Sequence, residues 1–263
     1  MATWTTKRVL ITVRTYPVPA QKNIEVSCTA GVTKEGEWIR LFPVPDRWMD
    51  DDKRFVKYQW IDVSVTKARQ DQRPESYKLN VDTIRVGEHV STVDSWRARK
   101  AIVGPLIKRS MCEIRKERDA NGFPTLGLFK PREIKQLIIE PDSSEWTLQQ
   151  MANLDQTMLF HRGPSEKLEK IPHKFKYEFV CDDPECKGHT MSCTDWEMGQ
   201  SYRSWRDEYE EEWETKFRDT YERKMISIYD THFYVGTVHR HPKEWIIVGL
   251  FYPPRPVIRD LFD

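Results

Sequence analysis

Cys181, Cys186, His189 and Cys193 lie within one short window, spaced x4, x2 and x3. Thiolates and imidazole are the donors that zinc favours, and three cysteines with one histidine make a complete tetrahedral set. A full set of four protein ligands leaves no position for water, so the expected ion is structural. Asp182, Asp183, Pro184 and Gly188 suit a turn that folds the ligands inward. The competing reading is an ordinary turn between strands, with Cys193 buried as a small apolar residue.

Asp195-Trp196-Glu197 follows directly. Two carboxylates beside a metal suggest a nuclease or hydrolase. The structural expectation is that Asp195 caps a helix, Glu197 supports its first turn and Trp196 packs inward. His232, His239 and His241 have no adjoining cysteine or carboxylate cluster. There is no P-loop, GxSxG, HExxH or dinucleotide fingerprint.

A second set of residues suits polyanion binding: Arg14, Tyr16, Lys22, Trp38, Arg40, Phe42, Arg47, Lys57, Tyr58, Trp60 and Arg73. Aromatic faces stack on bases while Lys and Arg track phosphates. Alternation in 37–42 puts Trp38, Arg40 and Phe42 on one strand face, and Ile39 and Leu41 on the other. Against a ligand face stands the reading of these rings as core, with Arg40 paired to a carboxylate such as Asp62 or Glu75.

Strands must position both sets. KRVLITVRTY, IEVSCTAGVT and EWIRLFPV alternate as strands do, and KYQWIDVSVTKA and YKLNVDTIRV follow a short connector at 45–55. Three strands, a connector and two strands is the order of an OB barrel. Residues 94–118 read as a helix interrupted near Gly104-Pro105, capped by Asp94 or Ser95. The order then recurs: a long strand at 125–141 bent at Pro131, strands at 173–181 and 189–193, a helix at 195–225, and a strand pair at 231–238 and 244–252. Trp205, Tyr209, Trp213 and Phe217 give that helix one aromatic face. The spacer 142–172 and the tail beyond Pro253 are expected to be the least ordered parts.

The expected fold is therefore α+β, mainly β: two OB-like barrels in tandem, a linking helix, and one long helix inserted in the second half. Residues 1–93 form the first barrel, 94–124 the link, 125–253 the second barrel and 254–263 a tail.

RTYPVPAQKNIEVSCTAGVTKEGEWIRLFPVPDRW, FVKYQWIDV, QRPES, CDDPECKGH with DWE, FYVGTV and IIVGLFYPP span nearly the whole chain. Together they resemble the bacterial dual OB-fold domain family, whose suspected setting is mobile elements and defence systems. The resemblance implies a fold and a nucleic-acid or nucleotide-binding role, not a reaction.

Residues 1–140 hold 26 Lys and Arg against 18 Asp and Glu, and the remainder 16 against 23. Either a polyanion meets the basic half, or the halves attract each other. No apolar run is long enough to cross a bilayer. Five cysteines, three of them crowded, point to reduced thiols, and Met1 to Arg8 lack a secretory signal. The expected protein is cytoplasmic, holds a structural zinc ion, and binds nucleic acid without catalysis, docking a protein partner through its acidic half. The alternatives are a sensor for a small nucleotide or modified base between the barrels, a metal-dependent nuclease or hydrolase, and a structural subunit of a larger complex.

Overall fold

Five segments of alternating, β-branched sequence close the first half into a barrel. They are β1 (Thr5–Arg14), β2 (Glu25–Thr33), β3 (Trp38–Val44), β4 (Gln59–Lys67) and β5 (Ser76–Leu79). The computed structural model describes residues 3–20, 25–160, 166–239 and 241–255. The strands run in the order β1-β2-β3-β5-β4, and β4 pairs back onto β1. Only β3 and β5 run parallel among these five. This is the closed Greek-key order of an OB barrel. Alternate residues fill its interior, among them Val9, Ile11, Ile39, Leu41, Ile61, Val63 and Val65. Two short 3-10 turns, Asp46–Trp48 and Asp51–Lys53, occupy the connector, and β6 (Arg85–His89) adds to the far side of β4.

The link is two helices, α1 (Val93–Val103) and α2 (Met111–Asn121), with the break at Gly104–Leu106 where the Gly-Pro pair places it. The start of α1 differs from expectation. Asp94, Ser95 and Trp96 have φ of 52°, 52° and 65°, a left-handed turn that L-residues adopt only at a cost. It lays the Trp96 ring against Tyr58, Phe251 and Tyr252. That aromatic contact is the compensating gain.

In the second half, β7 (Leu126–Phe129) and β8 (Glu133–Pro141) are two arms of one segment bent around Pro131. Then come α3 (Leu148–Phe160), β9 (His173–Val180), β10 (His189–Cys193), α4 (Trp196–Tyr209), α5 (Trp213–Arg218), β11 (His232–Val238) and β12 (His241–Phe251). The order is β8-β9-β10-β12-β11-β7, with β10 and β12 parallel. β8 pairs with β9 and β7 with β11, so the two arms stand towards opposite ends of this order, and Ile107–Lys108 adds in parallel beyond β7. Among the described residues of the spacer, α3 buries Leu154.

The long helix is not continuous. Glu210 takes φ 47°, and a 3-10 turn, α5 and a π-helical stretch (Asp219–Lys224) carry the chain to Ser227. The break still lets Phe217 stack on Phe175 at 4.5 Å and Trp205 meet Phe217 edge-on.

Apolar residues gather in three clusters. One fills each barrel, and a third lies between them: Leu10, Val13, Ala30 and Tyr58 from the first, with Leu126, Leu128, Tyr234, Val248 and Phe251 from the second. Gly199 allows the close approach, since a Cβ there would stand 2.4 Å from the Tyr16 ring. Separating the halves would expose this third core, so the chain is expected to unfold as one unit. Scanning calorimetry should show a single transition; two resolved transitions would contradict the shared core.

Candidate metal centre and the buried face between the barrels

Four ligand atoms, from Cys112, Cys181, Cys186 and His189, all lie within 4.8 Å of one another. Tetrahedral zinc with Zn–S of about 2.3 Å sets neighbouring sulfurs about 3.8 Å apart, so the donor set and its spacing fit such an ion. Each ligand is placed by a different local device. Cys112 sits in the first turn of α2, which Ser110 caps by accepting the Glu113 N–H at 3.0 Å. Met111 and Ile114 anchor that helix in the second core. Gly127 lets Ile114 come close, as a Cβ there would be 2.8 Å from Ile114 Cδ1. His189 opens β10 with its ring stacked on Phe179, and its Nε2 lies 3.4 Å from Cys112 Sγ. The Cys186 sulfur accepts the Cys181 N–H at 3.3 Å and the Gly188 N–H at 3.4 Å. Gly188 takes φ 92° to make that turn.

Three of the four expected ligands thus come together, and the fourth is corrected. Cys193 is buried in the core of the second barrel, paired across from Phe175 and Ile247. Four strand residues beyond His189 is about 13 Å, too far to share an ion. Cys112 replaces it. No local motif announces Cys112, which stands apart from the other three in sequence; the surplus of unassigned cysteines was the available signal.

Burial pushes the Cys181 thiol up to about 12 and raises Cys112 as well. Burial acts on Cys186 in the same direction, but hydrogen bonds from the Cys181 and Gly188 N–H groups and from the Cys112 and Cys181 thiols outweigh it and hold that thiol below its ordinary range.

Most of the described cationic and aromatic residues of this first-barrel set face the second barrel. Arg40 is 1% exposed and donates to Ser76 Oγ, Thr125 Oγ1 and Thr125 O at 3.2, 3.2 and 2.9 Å. Glu75 holds the same Thr125 through its N–H and hydroxyl at 2.7 and 2.8 Å. Lys57 is buried, with Nζ 3.1 Å from both Asp195 and Glu197. Burial opposes its charge, yet the two carboxylates hold its pKa well above the ordinary lysine value. Arg14 pairs with Asp46, donates to Phe55 O at 2.9 Å, and lies 4.8 Å from the Trp196 ring. Arg73 pairs with Asp71 and donates to Thr237 O. Tyr16 donates to Glu169 O at 2.8 Å, and Arg47 is bound by Glu25 at 3.2 Å. Tyr58 meets Tyr234 hydroxyl to hydroxyl at 3.4 Å, and Trp38 packs edge-on to Tyr234. Trp60 is half-buried under Arg8. Phe42 is exposed, and Lys22 lies outside the described residues. A stacking face built from these residues is therefore corrected: most of it is interface between the halves.

Asp195 caps α4 as expected, accepting the Glu197 N–H at 2.7 Å, and also accepts the Leu250 N–H at 3.0 Å. Neither carboxylate belongs to the Cys/His cluster. His232 is buried against Phe251, and His239 lies beside Asp71.

A family model described as a domain of unknown function (DUF8757) matches residues 107–263, and a second such model (DUF8758) matches residues 5–105. No curated protein matches the chain. The boundary between the two matches falls between α1 and α2, so Cys112 travels with the second barrel.

Cys112→Ser is expected to abolish metal retention, while Cys193→Ala leaves it intact; metal analysis after gel filtration decides between the two sets. Thiols that are protonated at neutral pH in the free protein must release protons when metal enters. Retention should therefore strengthen as pH rises and fail on acidification. Dialysis across a pH series reads this directly, and pH-independent retention would contradict it.

Proposed function

This chain belongs to the DUF8757 family, and we propose that it is a non-catalytic nucleic-acid-binding protein whose second barrel is held by a structural zinc ion. The observation that carries the reading is the closed set of three thiols and one imidazole within 4.8 Å. Soft donors in that number select zinc over oxygen-seeking cations. With four protein ligands the ion presents no site for a water nucleophile. The carboxylates that would serve a metal hydrolase, Asp195 and Glu197, are engaged by Lys57 instead. OB barrels bind oligonucleotides and oligosaccharides on their open faces, and the chain carries that strand order twice. A small ligand lodged between the barrels would have to part Leu10, Val13, Tyr58, Tyr234 and Phe251, all buried there.

Purified protein is expected to contain one zinc per chain and to bind single-stranded oligonucleotide with affinity that falls steeply with salt. The oligonucleotide should be recovered intact. Zinc-dependent cleavage, or absence of binding at about 50 mM salt, would contradict the reading.

A further inference from the structure

With Arg14, Arg40, Lys57 and Arg73 committed to the interface, the expected first-barrel ligand face is not open to a polyanion. Two cation-lined grooves lie in the second half. One, of about 410 Å³, is lined by Arg115, Arg118, Asp119, Lys243 and Trp245. The other, of about 600 Å³, includes Arg109, Lys130, Arg132 and Asp182 in its walls. α2 contributes to the first groove and supplies Cys112 to the metal centre; Asp182, in the second, follows the ligand Cys181.

Local carboxylates offset part of this charge. Arg109 lies 3.9 Å from Asp182, Arg118 3.0 Å from Asp119, and Lys130 is 2.5 Å from Asp230. Among the described residues, Arg115, Arg132 and Lys243 have no such ion pair. Arg118 Nε is buried there without an acceptor.

We infer that these two grooves form the phosphate-binding surface for a single strand of nucleic acid. The inference rests on the nucleic-acid reading above and locates it on the second half. Four of the seven cations lining the grooves are arginines, whose planar guanidinium groups match phosphate oxygens. The uncompensated charges lie in separate grooves instead of converging in one pocket, which suits an extended chain over a single small anion. Trp245 is 5% exposed, so the first groove offers no open ring for stacking. Recognition would run through phosphates and be insensitive to base sequence.

The test compares three charge-reversal variants of the full zinc-loaded chain: Arg115→Glu with Lys243→Glu, Arg132→Glu alone, and Lys78→Glu with Arg85→Glu on the exposed first-barrel surface. Zinc content and melting temperature serve as controls for folding. Both groove variants are expected to bind a roughly twenty-nucleotide single strand at least about tenfold more weakly at about 50 mM salt, with a flatter salt dependence. The first-barrel variant should stay within about twofold of the parent. Groove variants that bind like the parent would overturn the surface while leaving the nucleic-acid reading in place. A parent chain that binds no oligonucleotide would overturn both. Displacement of the strand by poly-glutamate of equal charge would overturn nucleic acid as the occupant in favour of an acidic protein.

Discussion

The contact on which the arrangement turns is Lys57 with Asp195. Both side chains are almost wholly inside the protein, and they come from opposite halves of the chain. Two charges removed from water are tolerated only when each answers the other and the remaining lone pairs are occupied. Asp195 meets that condition with Lys57, the Glu197 N–H and the Leu250 N–H. One carboxylate thereby joins the turn entering β4 of the first barrel, the start of α4 and strand β12 of the second. Thr15 and Asp195 also form a bridge between the two sheets, and Tyr16 N–H donates to Thr194 O at 2.9 Å. Glycine at 199 and the third apolar cluster follow from the same close approach.

This contact changes what the basic first half is for. Arg14, Arg40, Lys57 and Arg73 lie inside the joint, with Arg40 and Arg73 donating to backbone carbonyls of the second half. Charge attraction between the halves accounts for Lys57, whereas Arg14 and Arg73 pair with Asp46 and Asp71 of their own half. Under the proposed zinc, the Cys/His cluster would play a comparable part in the second barrel, tying α2 to the β9–β10 connection.

Strand order was legible because alternation is a local property: Ile39 and Leu41 enter the core as their spacing requires. The same alternation placed Arg40 on the opposite face, but it carries no information about what covers that face. Here the cover is Thr125, far along the chain. The metal ligands divide likewise. Cys181, Cys186 and His189 share one turn and could be read together, whereas Cys112 arrives by tertiary packing of α2 through Ile114 and Gly127. Asp94 to Trp96 adopt a left-handed turn without glycine or asparagine to signal it. Residue type there is set by the aromatic contact of Trp96, and tertiary packing overrides local preference.

A double-mutant cycle on Lys57→Met and Asp195→Asn tests the central contact most directly, with unfolding free energy as the readout. Removing one partner of a buried pair typically costs about 3–5 kcal/mol. Lys57→Met is expected to fall in that range, with a coupling energy of at least about 2 kcal/mol in the double variant. Additivity within about 0.5 kcal/mol would contradict the account, because it would mean that the two charges do not answer each other across the barrels.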